Sequence, residues 1–149
     1  MLKISEKLSA KISMILAVLF LIAVAAAMVC MPWLAFSMIH MPKEQPHIAL
    51  VFVLVYGILA LAAVAGVLML CLLRRIRVGE VFTDKSVAHL RGVSWCCVLA
   101  GGLFVLLGLY FPLAFAVAFV AIFVGLCLRV VKNVLEEAVV IKSENDLTV

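Results

Sequence analysis

The stretch "IALVFVLVYGILALAAVAGVLMLCLLRRIR" (Ile48–Arg77) decides the fold. From Ile48 to Leu73 it contains no Asp, Glu, Lys or Arg, and then Arg74, Arg75 and Arg77 arrive together. A hydrocarbon core of roughly 30 Å takes about 20 helical residues to cross. This run exceeds that length without alternating polar and apolar positions. It therefore reads as a helix that tilts or extends past the interface, whereas a barrel strand would need roughly ten-residue alternating segments closed into a ring. The arginines close the helix at the lipid headgroups.

Three further runs of the same kind lie outward from it: Met14 to Met31, Val93 to Phe111, and Leu113 to about Leu128, none with an acidic or basic residue. The last is short, so Arg129 is expected to snorkel to the headgroups. With 68% apolar and 13% charged residues in a chain of 149, no length remains for a separate soluble domain. The expectation is an all-α, polytopic protein, a single membrane domain over 1–149. Its four transmembrane helices cover about 14–31, 48–73, 93–111 and 113–128, with a loop at 74–92 and a tail at 129–149.

Charge sets the orientation. Of the 12 lysines and arginines, only Lys43 falls between the first and second spans, and none falls between the third and fourth. The rest precede span one, follow span four, or lie in the 74–92 loop. By the positive-inside rule both termini and that loop are cytoplasmic. The net charge of +4 then reports topology, not contact with nucleic acid. A cleavable leader is the rival reading of span one, because Ala25 to Ala27 resemble a processing site. "AMVC" is a poor lipobox, with Val29 where a small residue should precede Cys30, and the span is expected to be retained.

The segments outside the spans have patterns of their own. Residues 1–13 place Leu2, Ile4, Leu8 and Ile12 near one face and Lys3, Glu6, Lys7 and Lys11 on others, an amphipathic lead-in expected to lie along the inner surface. The outer segment "MPWLAFSMIHMPKEQPH" (Met31–His47) holds Pro32, Pro42 and Pro46 with Trp33 at interfacial depth, a stiff cap with an aromatic anchor. In the 74–92 loop, Gly79 marks a turn and Phe82 is a staple-like apolar residue. Thr83 or Asp84 is expected to cap a helix that runs directly into span three. After span four, Val131, Val134, Leu135, Ala138 and Ile141 continue a helical series, so the fourth helix is expected to project about three turns into the cytoplasm.

Chemistry-bearing residues are few. Cys71, Cys96, Cys97 and Cys127 map near the cytoplasmic ends of spans two, three and four, yet the C-x-x-C spacing of a thiolate zinc site is absent. His40, His47 and Glu44 in the outer segment are a weak metal pattern. No constellation resembles a catalytic site, and neither enzyme activity nor a cofactor is expected. The spans hold no ionisable residue of the kind that ion-coupled transporters keep in the membrane. Small residues ("AVAAA", "ALAAVAG", "LAGGLFVLLG") permit close helix packing, but Gly101, Gly102 and Gly108 form no GxxxG pair and name no partner helix.

The tail "EEAVVIKSENDLTV" (Glu136–Val149) carries Glu136, Glu137, Glu144 and Asp146, half of the 8 acidic residues. Anionic lipid would repel these, so a protein partner is the better expectation, with Leu147 and Val149 as its apolar anchor.

"GEVFTDKSVAHLRGV" (Gly79–Val93), followed by "VLEEAVVIKSENDLTV" (Val134–Val149), resembles an uncharacterised bacterial membrane family catalogued as domain of unknown function 2975. The specific parts are the G-x-x-F-T turn at Gly79, Phe82 and Thr83 and the closing E-N-D-L-T-V at Glu144 to Val149, which adds Asn145 to the candidate surface. The resemblance implies a small four-helix inner-membrane protein with no assigned enzymatic activity. Members are often encoded beside a small helix-turn-helix regulator of the Cro/repressor type, which implies a membrane protein that holds a DNA-binding regulator away from DNA. Two other expectations stand beside that one: an oligomeric channel or transporter for a neutral small molecule, built from homo-oligomers in membrane lipid, and an accessory subunit of a membrane complex.

Overall fold

The computed structural model describes residues 2–38, 48–79 and 82–148, with side chains in the first helix from residue 11 to 33. The described residues form four helices: α1 (Leu2–Met38), α2 (Ile48–Val78), α3 (Asp84–Gly108) and α4 (Leu113–Leu147). All four are long and apolar enough to cross a membrane. Residues 39–47 of the outer segment, with His40, Pro42, Lys43, Glu44, Pro46 and His47, lie outside the described residues, as do Val149 and the side chains of residues 2–10.

Two expectations about α1 are corrected. The lead-in is not a separate surface helix: its backbone is continuous with span one in a single 37-residue helix. At about 1.5 Å per residue such a helix exceeds the hydrocarbon thickness and must project beyond it. Nor does Pro32 stop the helix, which runs through it to Met38. Proline removes one backbone donor, and in an apolar helix the remaining hydrogen bonds favour continuing over exposing several unpaired carbonyls.

α3 is the centre of the packing. α1 packs on α2, α2 on α3 and α3 on α4, and among the described residues no other pair of helices makes close backbone contact. One third (33%) of the apolar window of α3 is buried, against 6% for α1. The chain is thus an open, serpentine layer of antiparallel helices. Between α1 and α3 an apolar groove of about 360 Å³ lies over Ala65 and Gly66 of α2. Leu54 and Ile58 of α2, Leu107 of α3 and Ala114 of α4 form one buried cluster near the α3–α4 turn. Many large side chains face outward, among them Ile15, Leu16, Phe119 and Phe123, and a bilayer solvates such a surface as water would not.

The α3–α4 seam is built on a seven-residue repeat. Ser94, Gly101 and Gly108 recur on the buried face of α3 and meet Gly125, Ala118 and Phe115 of α4 in antiparallel register. A methyl placed on Gly101 would come within 2.5 Å of Ile122 Cγ1 and 3.3 Å of the Ala118 carbonyl. One on Gly125 would sit 3.2 Å from the Val98 amide. With no hydrophobic effect to drive helices together in lipid, this close backbone approach is what makes the pair cohere. The Leu109–Pro112 link is equally tight: Tyr110 and Phe111 amides both donate to the Leu107 carbonyl at 3.0 Å, and Pro112 enters α4 where no amide donor is needed.

Candidate functional site

The basic end of the layer begins where α2 stops. The Gly79 amide donates to the Ile76 carbonyl at 3.1 Å, and Gly79 takes φ +88°, the left-handed conformation that ends helices at little cost only for glycine. Four residues on, Thr83 is extended (φ −133°, ψ 148°) and caps α3, its hydroxyl accepting from the Ser86 amide at 3.4 Å. The Ser86 hydroxyl lies 2.9 Å from that of Thr83 and is fully buried. Asp84 adds negative charge to the first turn, where the helix dipole favours it. Gly79 and Thr83, two residues expected to bind a partner, therefore have fold-making work as turn and cap. Phe82 between them is exposed.

Along α3, one turn before the apolar run, a polar cluster ties α3 to α4. Arg91 Nη2 lies 3.5 Å from Glu136 Oε1, and Lys132 Nζ pairs with Glu136 Oε2 one turn back on α4. Lys132 also donates to Asn133 Oδ1 at 3.0 Å. The Arg129 guanidinium sits 4.9 Å from the centroid of the Trp95 ring, within cation–π range. The hydrogen bond from Lys132, helped by the charges of Lys132 and Arg91, holds the Glu136 carboxyl below the usual carboxylate range. A small cleft of about 60 Å³ lies between Arg91, Ser94, Trp95, Arg129 and Lys132.

Beyond this cluster α4 has outrun α3 among the described residues. The antiparallel register of Gly125 against Cys97 and Val98 puts the start of α3 at about the level of Ala138, and every residue from Val140 to Thr148 is exposed. The helix is unbroken to Leu147, further than the periodicity of Val131 to Ile141 predicts. Its end closes on its own side chains: the Thr148 hydroxyl donates to the Glu144 carbonyl at 2.9 Å and the Ser143 hydroxyl to that of Val140 at 2.7 Å. Helical spacing places Val130, Val134, Ile141 and Asn145 on the face opposite Gly125, Lys132 and Glu136. Val130, Val134 and Ile141 are each more than half exposed, and Leu147 is 86% exposed. Glu137 and Glu144 flank that ridge.

The site residues read from sequence thus divide. Glu137, Glu144, Asn145, Asp146 and Leu147 lie together on the free end of α4, whereas Glu136 is engaged with α3. Sequence reasoning missed the cluster of Arg91, Trp95, Arg129 and Lys132, treating the cations only as topology markers. The Lys132/Glu136 spacing of four was its one local signal. The cysteines are free thiols, and among the described residues no three His, Cys, Asp or Glu side chains converge on a metal-sized site.

A family model described as "Protein of unknown function (DUF2975)" matches residues 33–149, which takes in the glycine turn, the α3–α4 seam and the projecting end of α4. No curated protein and no solved structure matches the chain. With most of its length covered by that match, the chain belongs to this family of proteins of unknown function, DUF2975.

Proposed function

We propose that the chain is a multi-pass protein of the bacterial inner membrane, both termini cytoplasmic, and that it is a non-enzymatic regulator. The free end of α4 docks a small, basic, cytoplasmic DNA-binding regulator and holds it away from DNA. The observation that carries this reading is the exposed ridge of Val130, Val134 and Ile141 on an unbroken helix that outruns its packing partner beyond Ala138, with Leu147 exposed on another face of its end. Glu137 and Glu144 border it, Asp146 lies on another face of the same helix end, and these charges orient and accelerate the approach of a basic surface more than they add affinity. Exposed Phe82 lies at the same end of the layer and extends the apolar contact.

Deletion tests the reading. A chain ending at Val139 should lose retention of such a regulator on detergent pulldown while keeping its α3–α4 packing. Equal retention by the full and shortened chains would defeat it. A second reading, an oligomeric channel for a neutral small molecule, meets one structural requirement. A layer in which α1 does not reach α4 encloses no pore, so conduction would require further copies on its exposed apolar faces. Flux in reconstituted vesicles that survives the deletion would favour that alternative.

A further inference from the structure

The cleft between α3 and α4 at the basic end has a composition that helix packing does not explain. Three cations, Arg91, Arg129 and Lys132, line a space of about 60 Å³ together with Trp95 and the hydroxyl-bearing Ser94. Among the described residues a single carboxylate, that of Glu136, pairs with them, reaching Arg91 and Lys132. Positive charge is therefore left over around a small recess, where an anion would meet three cations at once, although the Arg91 side chain is itself 56% exposed. Surface cations that merely face headgroups are splayed into solvent. The Lys132 side chain instead is only 14% exposed, drawn inward between the helices.

The geometry of each cation suits an oxyanion. Arg129 has its guanidinium carbon 4.9 Å from the centre of the Trp95 ring, a cation–π contact that does not use up its N–H donors. Arg91 holds Glu136 at 3.5 Å, a long contact that a better-placed acceptor would replace. Glu136 already shows which chemistry the recess accepts, since its two oxygens divide between a guanidinium and an ammonium. The volume matches about two waters, near that of one tetrahedral oxyanion. The depth also fits: the apolar runs of α3 and α4 end beside the cleft, and Trp95 has the amphipathic ring that favours the interface.

We propose that the recess formed by Arg91, Trp95, Arg129 and Lys132 is a phosphate-binding subsite, with Glu136 as the internal carboxylate that competes for it. The phosphate belongs either to an anionic lipid headgroup or to free phosphate in solution. This inference does not rest on the docking role of the α4 end, and either can fail without the other.

The experiment uses the full chain with Trp33→Phe, which leaves Trp95 as the sole tryptophan of the 2 present, in phosphatidylcholine nanodiscs. Trp95 emission is followed as inorganic phosphate is added, and in a second series as phosphatidic acid replaces phosphatidylcholine. A saturable change in both series supports the subsite with either source. A change in the lipid series alone assigns the headgroup, and one in the ion series alone assigns free phosphate. Arg129→Gln should weaken the apparent affinity roughly tenfold or more, as expected for the loss of a charge-assisted hydrogen bond. Glu136→Gln should tighten it severalfold, and Arg74→Gln, on α2, should leave it unchanged. The opposed signs separate the proposal from general loss of structure, which would weaken both variants. No saturable change in either series, weakening by Glu136→Gln, or an equal loss with Arg74→Gln would overturn it.

Discussion

The buried hydroxyl of Ser94 donates to the Gly125 carbonyl at 2.8 Å, joining α3 to α4 where a glycine lets their backbones approach. An interhelical hydrogen bond of this kind in lipid is worth about 0.6 kcal/mol on average and up to about 1.7 kcal/mol. Ser94→Ala should therefore reduce the unfolding free energy in bilayer-mimetic discs by an amount in that range. Gly101→Val should cost more, roughly 1–3 kcal/mol, because the new side chain overpacks against Ile122. Adding Ile122→Ala to Gly101→Val should recover part of the loss, and strict additivity of the two would argue against the seam.

The turn at the head of α3 makes a separate prediction. Gly79→Ala forces an L side chain into φ +88° and should destabilise by about 1–2 kcal/mol, although nothing crowds the added methyl. Thr83→Ala removes the cap and should cost about 0.5–2 kcal/mol, whereas Thr83→Ser should cost little. Amide hydrogen exchange over residues 84–90 reads both. Unchanged protection in Thr83→Ala would mean that the cap is not what starts α3.

The α3–α4 ion cluster gives a pH dependence with a defined sign. Glu136 has its carboxyl pKa lowered in the folded chain, first by the Lys132 hydrogen bond and then by the charges of Lys132 and Arg91. A depressed carboxyl contributes its stabilisation above its unfolded pKa and loses it as pH falls through the folded value. The contact should thus persist at neutral pH and fail only below the ordinary carboxylate range. The group is solvent-exposed, so the effect on stability is small and is best read by carbon NMR of the carboxyl. In Lys132→Gln the Glu136 titration should move up in pH, and no movement would contradict the pairing.

Much of this architecture was legible in the residues, and the exceptions have physical reasons. The charge-free runs beginning at Ile48, Val93 and Leu113 locate helices because only length and apolarity matter in crossing a bilayer. Side-chain chemistry narrowed the cap to Thr83 or Asp84, and the structure selects Thr83. Pro32 was read as part of a stiff outer cap beyond Met31, yet a proline costs a helix only one backbone donor and α1 continues through it to Met38. The repeat of Ser94, Gly101 and Gly108 escaped a search for glycines four apart, since these antiparallel helices meet through a seven-residue period. The Arg91–Glu136 and Arg129–Trp95 contacts join residues distant in sequence, and only the α3–α4 register brings them together. The free end of α4 was visible in part, as the series from Val131 to Ile141, but its continuation to Leu147 was not.

Orientation has its own test. With the 5 native cysteines replaced, a single cysteine introduced by Leu147→Cys should react with a membrane-impermeant thiol reagent in inverted vesicles and stay unlabelled in intact spheroplasts. The reverse pattern would place the acidic end of α4 outside and remove the regulator from reach.

The central claim is that the ridge on the free end of α4 is a docking surface, and photocrosslinking in living cells addresses it most directly. A photoreactive amino acid at Ile141 or Leu147 should yield a discrete adduct with a small basic DNA-binding protein, and one at lipid-facing Phe119 should not. Adducts to lipid alone at all three positions, or the same protein adduct at Phe119, would contradict the account.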